Sequence, residues 1–114
     1  MIFNYNIETK ENLQIVSLSG SLMEKTEANE LVSEIENYVS EGFNKIILNL
    51  ENLKYLNSSG LSVLITILTK CRNTGGEVVI SNLSDKVKEL FLITKLNTVF
   101  TVTESIDEAV PYFG

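Results

Sequence analysis

"KIILNLENLKYLNSSGLSVLITILTKC", residues 45–71, runs from one apolar segment through a short polar stretch into a second, longer apolar segment. Its first six residues are too apolar for a strand with one face in water. They predict a central strand in a sheet covered on both sides. Residues 51–57 read as the loop that follows. From Asn57 onward the spacing turns helical, and the run opens on Asn57, Ser58 and Ser59. Side-chain oxygens of these types accept bonds from the unpaired N–H groups of a first helical turn. The helix is predicted to end near Asn73, before the Gly75–Gly76 break.

The same alternation extends outward in both directions. Residues 2–20, "IFNYNIETKENLQIVSLSG", read as two strands around a turn at Lys10, Glu11 and Asn12. Residues 25–42 shift to helical period, with Ala28, Leu31, Val32, Ile35, Tyr38 and Val39 inside an arc of about 120°. Thr26 is the expected cap of that helix and Gly42 its stop. "EVVIS" is the next strand. "SDKVKELFLITKLN" is a helix capped by Ser84 and ending near Asn97. "TVFTV" is a short strand, and "SIDEAVPYF" opens with Ser105 and Glu108 at capping-box spacing. This order predicts an α/β fold over residues 1–114 as a single domain. Its sheet is mixed and mostly parallel, with about five strands and about four helices, and the first strand is an antiparallel edge.

Composition narrows the function. Of 114 residues, 44% are hydrophobic, and no stretch approaches the roughly 18 apolar residues of a membrane span. The N-terminus lacks the basic start and apolar block of a secretory signal, so the expected location is cytoplasmic. The chain has one cysteine, Cys71, and no histidine. An internal disulfide, the common zinc sites and a Ser-His or Cys-His nucleophile pair are therefore excluded, and no cofactor or metal is expected. The net charge of −6, without a basic cluster, argues against nucleic acid or direct membrane contact and favours a protein partner.

In open α/β sheets, partner sites gather at the carboxyl ends of strands. Two loops are expected there, "GSLMEK" after the second strand and "ENLKYLNSSG" after the third. Along the helix that follows, Ser58, Ser59, Ser62, Thr66, Thr69, Lys70 and Asn73 share an arc of about 120°. This face is polar and nearly uncharged. The apolar positions, Leu61, Val63, Leu64, Ile65, Ile67, Leu68 and Cys71, cover about 200°, more than packing on one sheet requires. Some of that surplus is expected at an edge or an interface. Gly60 is read as allowing close approach of the helix start to a neighbouring strand or chain.

Four segments, "GSLMEKTEANEL", "KIILNLENLKYLNSSGLSVLITIL", "GGEVVISNLSDKVKELFLITKLNTVF" and "SIDEAV", resemble in order a STAS domain of the bacterial anti-sigma factor antagonist type. The serine motif of that family, D-S-[ST]-G-[LI], is matched by Asn57-Ser58-Ser59-Gly60-Leu61. The resemblance implies phosphorylation of Ser58 by an anti-sigma factor that is itself a serine kinase, and reversal by a PP2C-type phosphatase. It also implies that the unphosphorylated chain binds the kinase and frees a sigma factor. The expected partner-binding set is Met23, Glu24, Asn57, Ser59, Gly60, Ser62, Val63, Thr66 and Ile67. The chain departs from the family pattern at Asn57 and Met23, both usually acidic, and Glu24 lies one place along from the second. On capping grounds alone, Asn and Asp are interchangeable at position 57. A rival reading is a non-phosphorylated STAS adaptor that docks constitutively on an ATPase or transporter. A reading of Ser58 as an enzyme nucleophile is weakest, because histidine and the first glycine of G-x-S-x-G are both missing.

Overall fold

The computed structural model describes residues 2–113. Its sheet has the order β1 (Asn4–Lys10), β2 (Leu13–Leu22), β3 (Lys45–Leu56), β4 (Glu77–Ser81), β5 (Thr101–Thr103). The β1–β2 hairpin is antiparallel and every later pair is parallel, so β1 is an antiparallel edge, as its turn chemistry predicts. Helices α1 (Asn29–Ser40), α2 (Ser58–Arg72) and α3 (Asp85–Ile93) connect successive neighbouring strands. Right-handed crossovers between adjacent strands place all three on one face. Their apolar sides meet Val16, Leu18, Ile46, Leu48, Leu50, Val78 and Ile80 in the main core. The alternate residues Ile15, Ile47 and Val79 point the other way, onto α4 (Ile106–Ala109) and its Ala109. Thus "KIILNL" is apolar on both sides because both faces of β3 are covered.

The two loops expected at the carboxyl edge are in part strand. β2 continues through Gly20 to Leu22, and β3 continues through residues 51–56. Twice along this pair β3 advances one residue more than β2, between Ser17 and Ser19 and again between Gly20 and Ser21. Each irregularity re-phases β3, so that Leu50, Leu53 and Leu56 turn toward the helices at a spacing of three. A strand with that spacing does not alternate, which is why it reads as a loop.

Three boundaries differ from expectation. Thr26 does not cap α1. The chain enters through a 3-10 turn, Lys25–Ala28, capped at Glu24, and the N–H groups of Met23 and Glu24 both donate to Glu27 Oε1, at 3.0 and 2.9 Å. Glu27 thus satisfies donors a hydroxyl at Thr26 would be too late to reach. Gly42 does stop α1, with φ of +92°. α3 ends at Ile93, short of Asn97, because Lys95 turns left-handed and a 3-10 turn, Leu96–Thr98, follows. That turn brings Phe100 against Phe91, ring centroids 5.9 Å apart, and leaves only Thr101–Thr103 of the expected fifth strand and its flank to pair with β4. Finally, the apolar surplus of α2 is absorbed by the core, since Leu61, Val63, Leu64, Ile67, Leu68 and Cys71 are all buried and Ile65 alone of the set is exposed.

Candidate functional site

The carboxyl end of β3 delivers the chain straight into α2, and Asn57 is the hinge between them. Its backbone is extended, and its Oδ1 accepts the N–H of Gly60 at 3.0 Å. This is the N-cap bond, so Ser58 is the first residue inside the helix and not its cap. The other end of the same amide, Nδ2, donates to the carbonyl of Met23 at 2.9 Å. One side chain therefore ties the start of α2 to the segment leaving β2.

Gly60 makes that junction possible. A Cβ on Gly60 would overlap the Leu22 carbonyl oxygen and the Leu56 side chain, so the first turn of α2 lies directly on the ends of β2 and β3. The expected close approach is to a strand of the same chain.

Ser58 is exposed on the rim so formed, and its hydroxyl makes no hydrogen bond to any other described residue. Further along α2 the hydroxyls turn inward to the helix. Ser62 Oγ donates to the Ser58 carbonyl at 3.1 Å, Thr66 Oγ1 to that of Ser62 at 2.9 Å, and Thr69 Oγ1 to that of Ile65 at 2.9 Å. Their protons are used within the helix. The face stays uncharged down to Lys70, which pairs with Glu36 at 3.4 Å. Burying such a surface against a partner carries a small desolvation penalty compared with a charged one.

Of the residues singled out by sequence, Met23, Glu24, Asn57, Ser58, Ser59, Ser62 and Thr66 reach solvent, fully or in part, around this corner. Gly60, Val63 and Ile67 are buried beneath it and hold it in place. Sequence reasoning missed Glu27, which fixes the Met23–Glu24 backbone, and Lys86, whose Nζ lies 4.7 Å from the centre of the Tyr55 ring. The Glu24–Glu27 spacing is the signal that identifies the first. Nothing in sequence places α3 beside Tyr55. Chemically the corner offers an unbonded hydroxyl, with no side chain among the described residues hydrogen-bonded to it as a base would be. Among the described residues no group of three His, Cys, Asp or Glu side chains could hold a metal ion, and no helix is long and apolar enough to cross a membrane.

Comparison with known proteins gives a consistent picture. The family model described as "STAS domain" matches residues 4–109. The anti-sigma-B factor antagonist of Staphylococcus aureus is 31% identical over 110 residues, covering 91% of this chain and 97% of that protein. Among solved structures, an anti-sigma factor antagonist from Mycobacterium paratuberculosis superposes with a TM-score of 0.80 at 18% identity, over 97% of this chain and 93% of the other. The Bacillus cell fate determinant SpoIIAA in its phosphorylated form gives 0.74 at 19% identity, over 96% and 98% of the two chains. At these identities the structures speak for the fold.

Proposed function

The chain belongs to the STAS domain family, and on that premise we propose that it is an anti-sigma factor antagonist whose α2 corner docks on an anti-sigma factor. In its finer form the reading makes that partner a serine kinase. The kinase phosphorylates Ser58, phosphorylation releases the chain, and a PP2C-type phosphatase restores it. The chain catalyses nothing in this cycle. The observation that carries the reading is the state of Ser58: it is the exposed, unbonded first residue of α2, at the head of a helix face with no charged side chain before Lys70. The name of the Staphylococcus aureus relative supports the coarser part.

The release step follows from charge. A phosphoserine brings about −1.5 to −2 charge at pH 7. At the N-terminus of a 15-residue helix that charge is tolerated by the fold, because the helix dipole and first-turn N–H groups favour an anion. In an interface built for a neutral hydroxyl it is buried without a partner. The kinase supplies the metal, the phosphate grip and the base, so the chain needs only to present the hydroxyl.

One observation favours the constitutive adaptor as a second reading: the corner is completed by the neutral Asn57 amide, and α2 has no acid in its first turn. Phosphate mapping separates the two. Incubated with a kinase-type anti-sigma factor, ATP and magnesium, the chain gains one phosphoryl group, mapped by peptide mass spectrometry to Ser58. Tight binding to a transporter or other ATPase with no phosphate incorporated transfers the assignment to the adaptor.

A further inference from the structure

On the α3 side of the Ser58 corner lies a second surface. Met23, Tyr55, Leu56 and Leu90 line a groove of about 230 Å³, with Val87 at its base and Lys54 and Lys86 at its rim. Met23 and Tyr55 are 41% and 45% exposed, so both apolar side chains are open to a partner. The groove is continuous with the corner, since the Met23 carbonyl is the group Asn57 holds.

Its charge runs against the rest of the chain. The net charge is −6, yet no carboxylate lines this groove. Lys54 and Lys86, like most lysines of the chain, make no ion pair among the described residues, and here two of them stand together with no carboxylate in the lining. Lys86 is instead held over the Tyr55 ring, which fixes a cation at the rim without neutralising it.

We infer that this groove seats an apolar side chain of the anti-sigma factor, flanked on the partner's surface by Asp or Glu. The apolar walls take the anchor, as buried anchors in pockets carry most of an interface's energy. The two free ammonium groups select acidic neighbours and repel basic ones. The inference deepens the antagonist reading and rests on it. It adds α3 and the Tyr55 strand end to the docking surface, and it states the chemistry of the partner.

The test uses the full chain and the kinase-type anti-sigma factor that phosphorylates it, titrated by calorimetry. The variants are Tyr55→Ala, Lys86→Gln and the double variant Lys54→Glu, Lys86→Glu. Both lysines are on the surface, and a thermal melt checks that each variant remains folded. Reversing the two rim charges is expected to weaken binding by about tenfold or more and to reduce its sensitivity to salt. Lys86→Gln gives a smaller loss of the same sign. Backbone amide shifts of Met23, Tyr55 and Leu90 in the labelled chain move on adding the partner. If all three folded variants bind as the parent chain does while Ser58→Asp still loses affinity, the groove is outside the interface and the inference fails, with the antagonist reading intact. If the parent chain binds no such kinase, both fail together.

Discussion

Asn57 and Met23 are joined by a hydrogen bond from the Asn57 side-chain amide to the Met23 carbonyl, 2.9 Å long. The bond runs in the direction that only an amide permits. With Oδ1 already accepting from Gly60, the group facing Met23 must be a donor. An ionised aspartate has none.

Asn57→Asp therefore is not the neutral exchange that capping alone suggests. The cap bond survives, but a carboxylate oxygen now faces the Met23 carbonyl. Urea denaturation is expected to show a loss of about 1 kcal/mol, and a melt a fall of roughly 4 °C. Asn57→Ala removes both bonds and costs about 2 kcal/mol. Unchanged stability in Asn57→Asp would show that the bridge contributes nothing.

Gly60→Ala is expected to destabilise strongly although alanine is the better helix former by about 1 kcal/mol. The new methyl group meets the Leu22 backbone carbonyl and the Leu56 side chain, so the strand end or the helix must shift. Overpacking of this kind costs about 1–3 kcal/mol, occasionally more, read as a lower urea midpoint. A stabilised Gly60→Ala chain would mean that the first turn of α2 is not seated on the strand ends.

Much of this is visible in sequence where periodicity is clean. The "KIILNL" strand, the α1 face, the Ser84 cap and the order of elements follow from apolar spacing and cap chemistry. The rest is tertiary. Leu50, Leu53 and Leu56 face the core at intervals of three because β3 gains residues against β2, and a single strand carries no sign of its partner's register. Thr26 loses to Glu24 because Glu27 serves two backbone donors at once. Gly60 falls under the expected docking face because it is seated on the ends of β2 and β3, and Val63 and Ile67 do so because α1 and the sheet together enclose that side of α2. The Ser58 motif was legible by resemblance. The Asn57–Met23 bond, which replaces charge with an amide at that motif, needed coordinates.

Cys71 supplies a pH signature. Burial pushes its thiol up to about 11, with the Glu77 carboxylate adding to the effect. The folded chain holds the neutral thiol, so the stabilisation is complete below the unfolded-state value near 9 and is lost as pH rises through about 11. Between those limits the parent chain should lose about 2 kcal/mol more than Cys71→Ala, measured by urea titration at pH 8.5 and 10.5–11. Parallel losses in the two chains would contradict it. The native thiol should also resist disulfide reagents at pH 8 and react on unfolding.

The central claim is that charge at Ser58 governs docking without touching the fold, and one paired calorimetric titration tests it most directly. Ser58→Ala and Ser58→Asp are each titrated with the kinase-type anti-sigma factor, beside thermal melts. The account predicts that Ser58→Ala binds like the unphosphorylated parent. It predicts that Ser58→Asp binds more weakly by about 30-fold or more, the equivalent of about 2 kcal/mol or above, with its melting temperature unchanged. Equal affinities for the two variants would contradict the claim.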